Sequence, residues 1–144
     1  MELMVVIGII AIISVIAVPS FISRLPARRM EAAASEVKMA IQVARLSAVK
    51  ENTPAILQLD VNNESYSITI PVTGRTVKRG NMPAGVDLKD VFLSGQTNPA
   101  LGGLITFDSR GFPTPPVDVV LQNSTGTTWT IQINMTGSSR LSRG

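Results

Sequence analysis

The residue types that carry most enzymatic chemistry are scarce in this chain of 144 residues. It contains no His and no Cys, which removes the usual general base, the thiolate nucleophile and the commonest transition-metal ligands. The densest polar cluster is Asp108-Ser109-Arg110-Gly111. Its composition favours a turn, in which Asp108 bonds the turn backbone and Gly111 takes a positive φ. We therefore predict that the protein is not an enzyme and uses no cofactor.

Three acidic residues, Asp60, Asp87 and Asp90, raise the question of a calcium site. Calcium is bound by a dense set of oxygen ligands that one short loop usually supplies. The three residues are not gathered in such a loop, and solvated surface carboxylates account for them. The sequence predicts no metal site.

Two groups of basic residues have the chemistry to bind DNA phosphates. Arg75, Lys78 and Arg79 form the first group, and Arg140 and Arg143 form the second on a Ser/Gly-rich segment. Flexible cations of this kind bind DNA without sequence preference and with strong salt dependence. The alternative is a solvated strand edge and tail. We favour that alternative because aromatic residues, which strengthen such surfaces, do not stand beside these charges in the sequence.

Glu2 is the single charged residue in the first 22 positions, which are otherwise mainly Leu, Met, Val, Ile and Ala. At about 1.5 Å per residue, a helix over residues 3–22 spans roughly the 30 Å hydrocarbon core of a bilayer. A carboxylate is costly in that layer unless it finds a partner, and another subunit is the nearest source of one. The alternative position for Glu2 is the headgroup interface.

Three interpretations of this apolar segment compete: a cleaved secretory signal, a plain membrane anchor, and an anchor that later packs inside a filament. A secretory signal begins with a cationic region and ends in a small-residue cleavage site, whereas an acid comes first here. A plain anchor meets a different difficulty. Arg24, Arg28 and Arg29 follow the segment, and the positive-inside rule would then keep the rest of the chain in the cytoplasm. A basic flank upstream of Met1 would resolve this conflict.

The run Glu2-Leu3-Met4-Val5-Val6-Ile7-Gly8-Ile9-Ile10-Ala11-Ile12-Ile13, with Ala17-Val18-Pro19-Ser20-Phe21 after it, resembles the class III signal of type IV pilins and type II secretion pseudopilins. In that family, prepilin peptidase removes a short basic leader and the mature chain begins Phe-Thr-Leu-x-Glu. The resemblance implies that a leader and the first three mature residues precede Met1. It further implies a single-pass protein of the bacterial inner membrane, with its head in the periplasm before it joins a pilus or pseudopilus filament.

The same resemblance implies that Glu2, Gly8 and Pro19 act in subunit assembly. Glu2 would meet the methylated N-terminal amine of a neighbouring subunit and so register the incoming protein. Gly8 is expected to be a close-packing position. Pro19 removes a helical hydrogen bond and should bend or locally melt the helix. The implied partners are other pilin or pseudopilin subunits, the inner membrane and prepilin peptidase, with no small-molecule substrate.

The rest of the sequence predicts an α+β head, in which an antiparallel β-sheet packs on the helix. Pro26 is expected to interrupt the helix, and an amphipathic helix follows at about residues 27–51. Its apolar face comprises Ala33, Val37, Ala40, Ile41, Ala44 and Ala48. Period-two alternation predicts strands at residues 57–61, 66–70, 86–88, 117–121 and 129–133, all within a sheet region at about 55–135. Turn residues at 62–64, 73–74 and 124–126 predict hairpins, and residues 93–103 an irregular loop.

Three short motifs narrow the resemblance to the GspH/FimT branch of the pilin-like proteins. They are Ala44-Arg45-Leu46-Ser47-Ala48, Ile105-Thr106-Phe107-Asp108-Ser109-Arg110-Gly111 and Trp129-Thr130-Ile131-Gln132-Ile133. The family often closes with Gly-Arg, whereas further residues follow Gly137 here.

These observations predict residues 1–25 as a transmembrane and filament-core helix and residues 26–144 as a pilin-like head that ends in a basic tail at 136–144. The predicted function is that of a structural subunit, a minor pilin or pseudopilin of a type IV pilus or type II secretion pseudopilus. Some FimT-like minor pilins bind DNA through a basic C-terminal region, so the alternative function is DNA binding during DNA uptake.

Overall fold

The computed structural model describes residues 2–95 and 102–144, and within the helix it describes the side chains of residues 3–15 and 22–51. The described chain forms one α-helix followed by nine β-strands. Their bounds are α1 Glu2–Glu51, β1 Ala55–Asp60, β2 Ser65–Ile70, β3 Arg75–Asn81, β4 Val86–Leu93, β5 Leu104–Phe107, β6 Pro113–Thr114, β7 Val117–Asn123, β8 Thr128–Ile133 and β9 Ser139–Arg143. Most of the loop predicted at 93–103 lies outside the described residues.

Helix α1 is continuous through both Pro19 and Pro26. The predicted interruption at Pro26 is therefore wrong, and local melting at Pro19 is likewise absent from the helix backbone. Each proline removes one backbone donor, and the backbone stays helical on both sides of each. The helix ends at Glu51, and the next residue, Asn52, takes a left-handed conformation with φ of 49°.

The apolar face predicted for the second half of α1 is confirmed. Its six side chains, Ala33, Val37, Ala40, Ile41, Ala44 and Ala48, have no exposed surface. Met30 and Ala34 extend the same buried face toward the N-terminus. Small residues dominate this face, so the backbone of α1 lies close to the strands that cover it.

Those strands form two antiparallel sheets, whereas the sequence predicted one. The first sheet has five strands in the order β3-β2-β1-β5-β6, and the second has four in the order β4-β7-β8-β9. The predicted hairpins at 62–64 and 124–126 are confirmed, since β1 pairs with β2 and β7 pairs with β8. The inward side chains of both sheets and the buried face of α1 form a single apolar core.

Four of the nine strands in the described chain were not predicted: the inner strand β5 and the edge strands β3, β6 and β9, of which β3 and β9 bear on the predicted basic groups. Strand β9 occupies most of the predicted tail at 136–144 and pairs with β8, so this segment belongs to the sheet. Strand β3 contains the first predicted basic group and pairs with β2. Both strands lack clean apolar alternation because each lies at a sheet edge and is largely exposed.

Candidate assembly helix and basic strand edges

The first half of α1 has an apolar surface on every side. The exposed fractions of its large apolar residues between Leu3 and Val15 range from 53% at Ile9 to 77% at Met4. A helix that is apolar all round is normally buried in a membrane or in a larger assembly. Ser14, the polar side chain in this segment, donates to the Ile10 carbonyl oxygen at 2.7 Å and is thereby satisfied within the helix.

Of the three residues predicted to act in assembly, Gly8 is the one whose surroundings the structure describes. A Cβ atom placed on Gly8 would meet nothing within 4 Å, so the glycine leaves a shallow notch in an open surface. The side chains of Glu2 and Pro19 lie outside the described residues. The assembly roles of all three stay predictions. Among the described residues, no helix has the length and apolarity needed to cross a membrane.

The first predicted basic group is divided between the two faces of β3. Arg75 and Lys78 pair across the sheet with fully buried residues of β2, so they share the face that packs on α1. Arg79 lies on the opposite, outer face and is exposed. The group therefore does not form one continuous cationic surface.

The two inward cations bind carboxylates of the helix. Arg75 Nη2 donates to Glu51 Oε1, and Lys78 Nζ lies 3.1 Å from Glu36 Oε1. Strand β3 is thus tied to α1 at two points separated by about four helical turns.

Tyr66 completes the contact around Glu36. Its hydroxyl donates to Glu36 Oε1, and Lys78 Nζ lies 5.6 Å from the centroid of its ring. The ring lies against Gly80, where a Cβ atom would approach the ring atoms to 2.6 Å. A glycine in a strand often marks such a close approach, so Gly80 was a signal in the sequence that could have pointed to this site and was not used.

These contacts shift the ionisation of both partners. The hydrogen bond from Tyr66, and after it the one from Lys78, lowers the pKa of Glu36 below its ordinary value. Burial, and after it the hydrogen bond to Glu36, raises the pKa of Tyr66. The arrangement therefore favours an ionised Glu36 and a neutral Tyr66.

The second predicted basic group is divided in the same way. Arg143 faces the helix, where its Nη2 lies 3.8 Å from Glu31 Oε1 and its guanidinium carbon lies 4.7 Å from the centroid of Trp129. Arg140 is exposed on the outer face of β9. The premise that aromatic residues do not accompany these cations is wrong for Arg143 and Lys78. Strand pairing brings them to aromatic residues that are remote in sequence.

The edge strands of both sheets therefore hold the helix through its carboxylates, with β3 on one sheet and β9 on the other. The roles of Glu31, Glu36 and Glu51 could not be predicted from the sequence, because only the strand register shows which cations face them. Solvent-exposed pairs of this kind contribute about 0–1 kcal/mol each, so their role is to position the helix more than to stabilise the head.

The predicted turn at Asp108 is confirmed. Asp108 Oδ1 accepts hydrogen bonds from the backbone nitrogens of Phe112 at 2.8 Å and Arg110 at 3.0 Å, and Gly111 has φ of 81°. The Phe112 bond is the larger cause of a lowered pKa at Asp108. Asp60 likewise binds the backbone of its own turn, through Asn62 and Asn63. In the part of the chain that the structure describes, no three acidic, His or Cys residues are grouped as metal ligands.

Comparison with solved structures finds this fold in proteins of low sequence identity. The minor pseudopilin EpsH from the type 2 secretion system of Vibrio cholerae is similar with a TM-score of 0.60 and 15% identity, over 78% of this chain and 95% of that chain. The type IV minor pilin FimU of Pseudomonas aeruginosa is similar with a TM-score of 0.63 and 16% identity, over 81% of this chain and 90% of that chain. No curated protein matches the sequence.

The sequence profile of the family described as Type II transport protein GspH matches residues 33–137. The match begins in the buried half of α1 and continues to the turn before β9. It covers most of the head, including the alanine face and the Asp108 turn. By this match the chain belongs to the GspH family.

Proposed function

We propose that the protein is a minor pilin or pseudopilin that joins a type IV pilus or a type II secretion pseudopilus through the first half of α1. The observation that carries the proposal is the contrast along this one helix. Residues 3–15 expose their large apolar side chains, while the face from Met30 to Ala48 is buried by the head. A partner outside this chain must cover the first half, and helices of neighbouring subunits have the matching chemistry. Membership of the GspH family supports this function.

Before assembly, the proposal places residues 3–22 in the bacterial inner membrane and the head in the periplasm. The support is the resemblance of residues 2–21 to a class III signal, together with a helix rise of about 1.5 Å per residue that matches the hydrocarbon thickness. Prepilin peptidase would process the precursor, and the new N-terminal amine would be methylated. Glu2 would then bind that amine on a neighbouring subunit.

DNA binding is not part of the proposal. Three of the five cations predicted to contact DNA, Arg75, Lys78 and Arg143, bind helix carboxylates, and DNA phosphates would have to displace those partners. The remaining two, Arg79 and Arg140, lie on the edge strands of different sheets.

The test is the variant Glu2→Ala in the native host, with Glu31→Ala as the matched control on the same helix. Removing one partner of a buried ion pair costs about 3–5 kcal/mol, so incorporation into filaments should fall at least about a hundredfold. The amount in the membrane fraction should stay unchanged for both variants. The readout is the ratio of filament-bound to membrane-bound protein.

Normal incorporation of Glu2→Ala would contradict the registering role of Glu2. Absence of the unaltered protein from purified filaments would contradict the proposed function as a whole. Equal losses for Glu2→Ala and Glu31→Ala would show that the effect is a general consequence of removing a helix charge.

A further inference from the structure

A cleft lies between α1 and the β7–β8 turn, at the end of the head from which the apolar half of the helix leaves. Its volume is about 190 Å³. The helix contributes Ser23, Ala27 and Met30 to its lining, the β7–β8 turn contributes Thr125 and Thr127, and β8 contributes Trp129. The lining thus combines an indole and a thioether with hydroxyl groups, which suits a ligand that has both apolar and polar parts.

Three arginines lie on the helix at the level of the cleft. At about 100° per residue, Arg24 and Arg29 leave the helix on either side of the face that lines the cleft, and Arg28 leaves it on the far side. Arg24 and Arg28 directly follow two of its lining residues, Arg29 directly precedes a third, and all three are exposed. Arg29 is placed next to the turn that closes the cleft. Its Nη1 atom lies 3.4 Å from the position of a Cβ on Gly85, whose carbonyl oxygen accepts a hydrogen bond from Ser124 N at 3.2 Å.

These arginines keep their positive charge uncompensated. The glutamates that follow Arg24 along α1 are already paired with cations from the strands. Glu31 binds Arg143, Glu36 binds Lys78 and Glu51 binds Arg75. Within residues 2–95 and 102–144, none of the three arginines forms an ion pair. Among the described residues, the base of the head therefore carries three unpaired cations around the helix, and two of them, Arg24 and Arg29, flank a partly apolar cleft.

We infer that this cleft and the three arginines around the helix beside it bind the headgroups of anionic phospholipids; the inference rests on the proposed membrane insertion of residues 3–22. The position agrees with the dimensions of a bilayer. At about 1.5 Å per residue, Arg24, Arg28 and Arg29 lie about 3 Å, 9 Å and 10 Å beyond residue 22 along the helix. Each headgroup layer is about 5–8 Å thick, and the long arginine side chains can extend into it. Arginines bind phosphate through paired N–H groups, and Trp129 suits the boundary between the headgroups and the apolar layer.

The chain has a single tryptophan, Trp129, and that residue lines the cleft. Its fluorescence can therefore report contact with lipid headgroups. The full-length protein is reconstituted into vesicles of phosphatidylcholine alone and into vesicles in which about one third is phosphatidylglycerol. The same small fraction of headgroups carries a spin label in both preparations, on phosphatidylcholine in the first and on phosphatidylglycerol in the second, and quenching of Trp129 is measured. Flotation establishes first that the protein inserts.

Phosphatidylglycerol should increase the quenching of Trp129. Because each basic residue at an anionic surface contributes roughly a fivefold preference, the three arginines together should give a preference of about a hundredfold. The variant Arg24→Gln/Arg28→Gln/Arg29→Gln should lose this increase. The matched control Lys50→Gln/Arg79→Gln/Arg140→Gln loses the same charge away from the cleft and should keep it. Unchanged denaturant unfolding shows that each variant is folded.

Insertion into both kinds of vesicle with no effect of phosphatidylglycerol would overturn the headgroup site and leave the proposed anchoring intact. Failure to float with either vesicle would overturn both. The same change produced in phosphatidylcholine vesicles by soluble inorganic phosphate or by a short DNA duplex would also overturn the inference, because the site would then take a soluble phosphate or a nucleic acid.

Discussion

The two halves of α1 have the same backbone structure and opposite surroundings. Residues 3–15 present large apolar side chains on every side, whereas the face around Ile41 has no exposed surface. The second half is covered by two sheets of its own chain. The contrast shows that the first half of α1 is helical although no described strand of its own chain packs on it. Helix stability in proteins comes mainly from packing, so the first half is the part that a membrane or other subunits must stabilise.

The strongest test of this contrast compares the same substitution in the two halves. Ile41→Ala should lower the free energy of unfolding of the head by about 2–5 kcal/mol, because it leaves a cavity in a fully buried site. Ile10→Ala removes the same atoms from an exposed site and should change this free energy by less than about 0.5 kcal/mol. Both are measured by denaturant unfolding of the detergent-solubilised chain, followed by Trp129 fluorescence. Equal losses would contradict the energetic separation of the two halves.

A smaller effect is expected where the second half is bound to β2. Tyr66→Phe removes the hydrogen bond to Glu36 and should lower the free energy of unfolding by about 1.5–3 kcal/mol, as expected for a bond to a charged group. A double-mutant cycle with Glu36→Gln isolates the interaction between the two residues. Additive effects of the two substitutions would contradict a direct bond.

The same contact predicts a pH dependence that the first half of the helix does not share. The pKa of Glu36 is lowered from an ordinary value of 4.5, so the folded state favours its ionised form. Its contribution to stability is present above that ordinary value and is lost as the pH falls through the lower pKa of the folded state. Glu36→Gln should therefore lose less stability than the unaltered protein on acidification, as measured by unfolding at a series of pH values. If the free energy of unfolding fell equally steeply with decreasing pH in the variant and in the unaltered protein, this contribution of Glu36 would be contradicted.

The smallest effect is expected at the exposed tie between β9 and the helix. Arg143→Gln removes a solvent-exposed ion pair and the contact with Trp129, and should lower the free energy of unfolding by about 1 kcal/mol. Arg140→Gln, on the outer face of the same strand, should change it by less than about 0.5 kcal/mol. Thermal unfolding at low and high salt compares the two variants. A larger loss for Arg140→Gln would reverse the assignment of the faces of β9.

The features that follow from local sequence were predictable. The alanine-rich face from Ala33 to Ala48 repeats with helical period, and apolar alternation identifies β1, β2, β7 and β8. The Asp108 turn follows from the turn preferences of Asp and Gly. These signals depend on residues that are near one another in the chain, and so does the pattern that resembles a pilin N-terminus.

The features that depend on register were not predictable. Lys78 and Tyr66 meet Glu36 only because β3 pairs with β2, and Arg143 meets Trp129 only because β9 pairs with β8. Period-two alternation identifies a strand without identifying its neighbour, so the division into two sheets was also missed. The effect of Pro26 was overestimated because one missing backbone donor is a small part of so long a helix.

The alanine face of α1 also has a mechanical consequence. Short side chains give this face little relief, so they offer little resistance to sliding of the helix along its own axis past the sheets. Resistance to such sliding comes from the longer buried side chains, Met30 and Ile41, and from the ion pairs that Glu31 and Glu36 form with the edge strands. When a filament is under tension, we therefore expect the load to pass between helix and head at these few points, with little carried by the alanines.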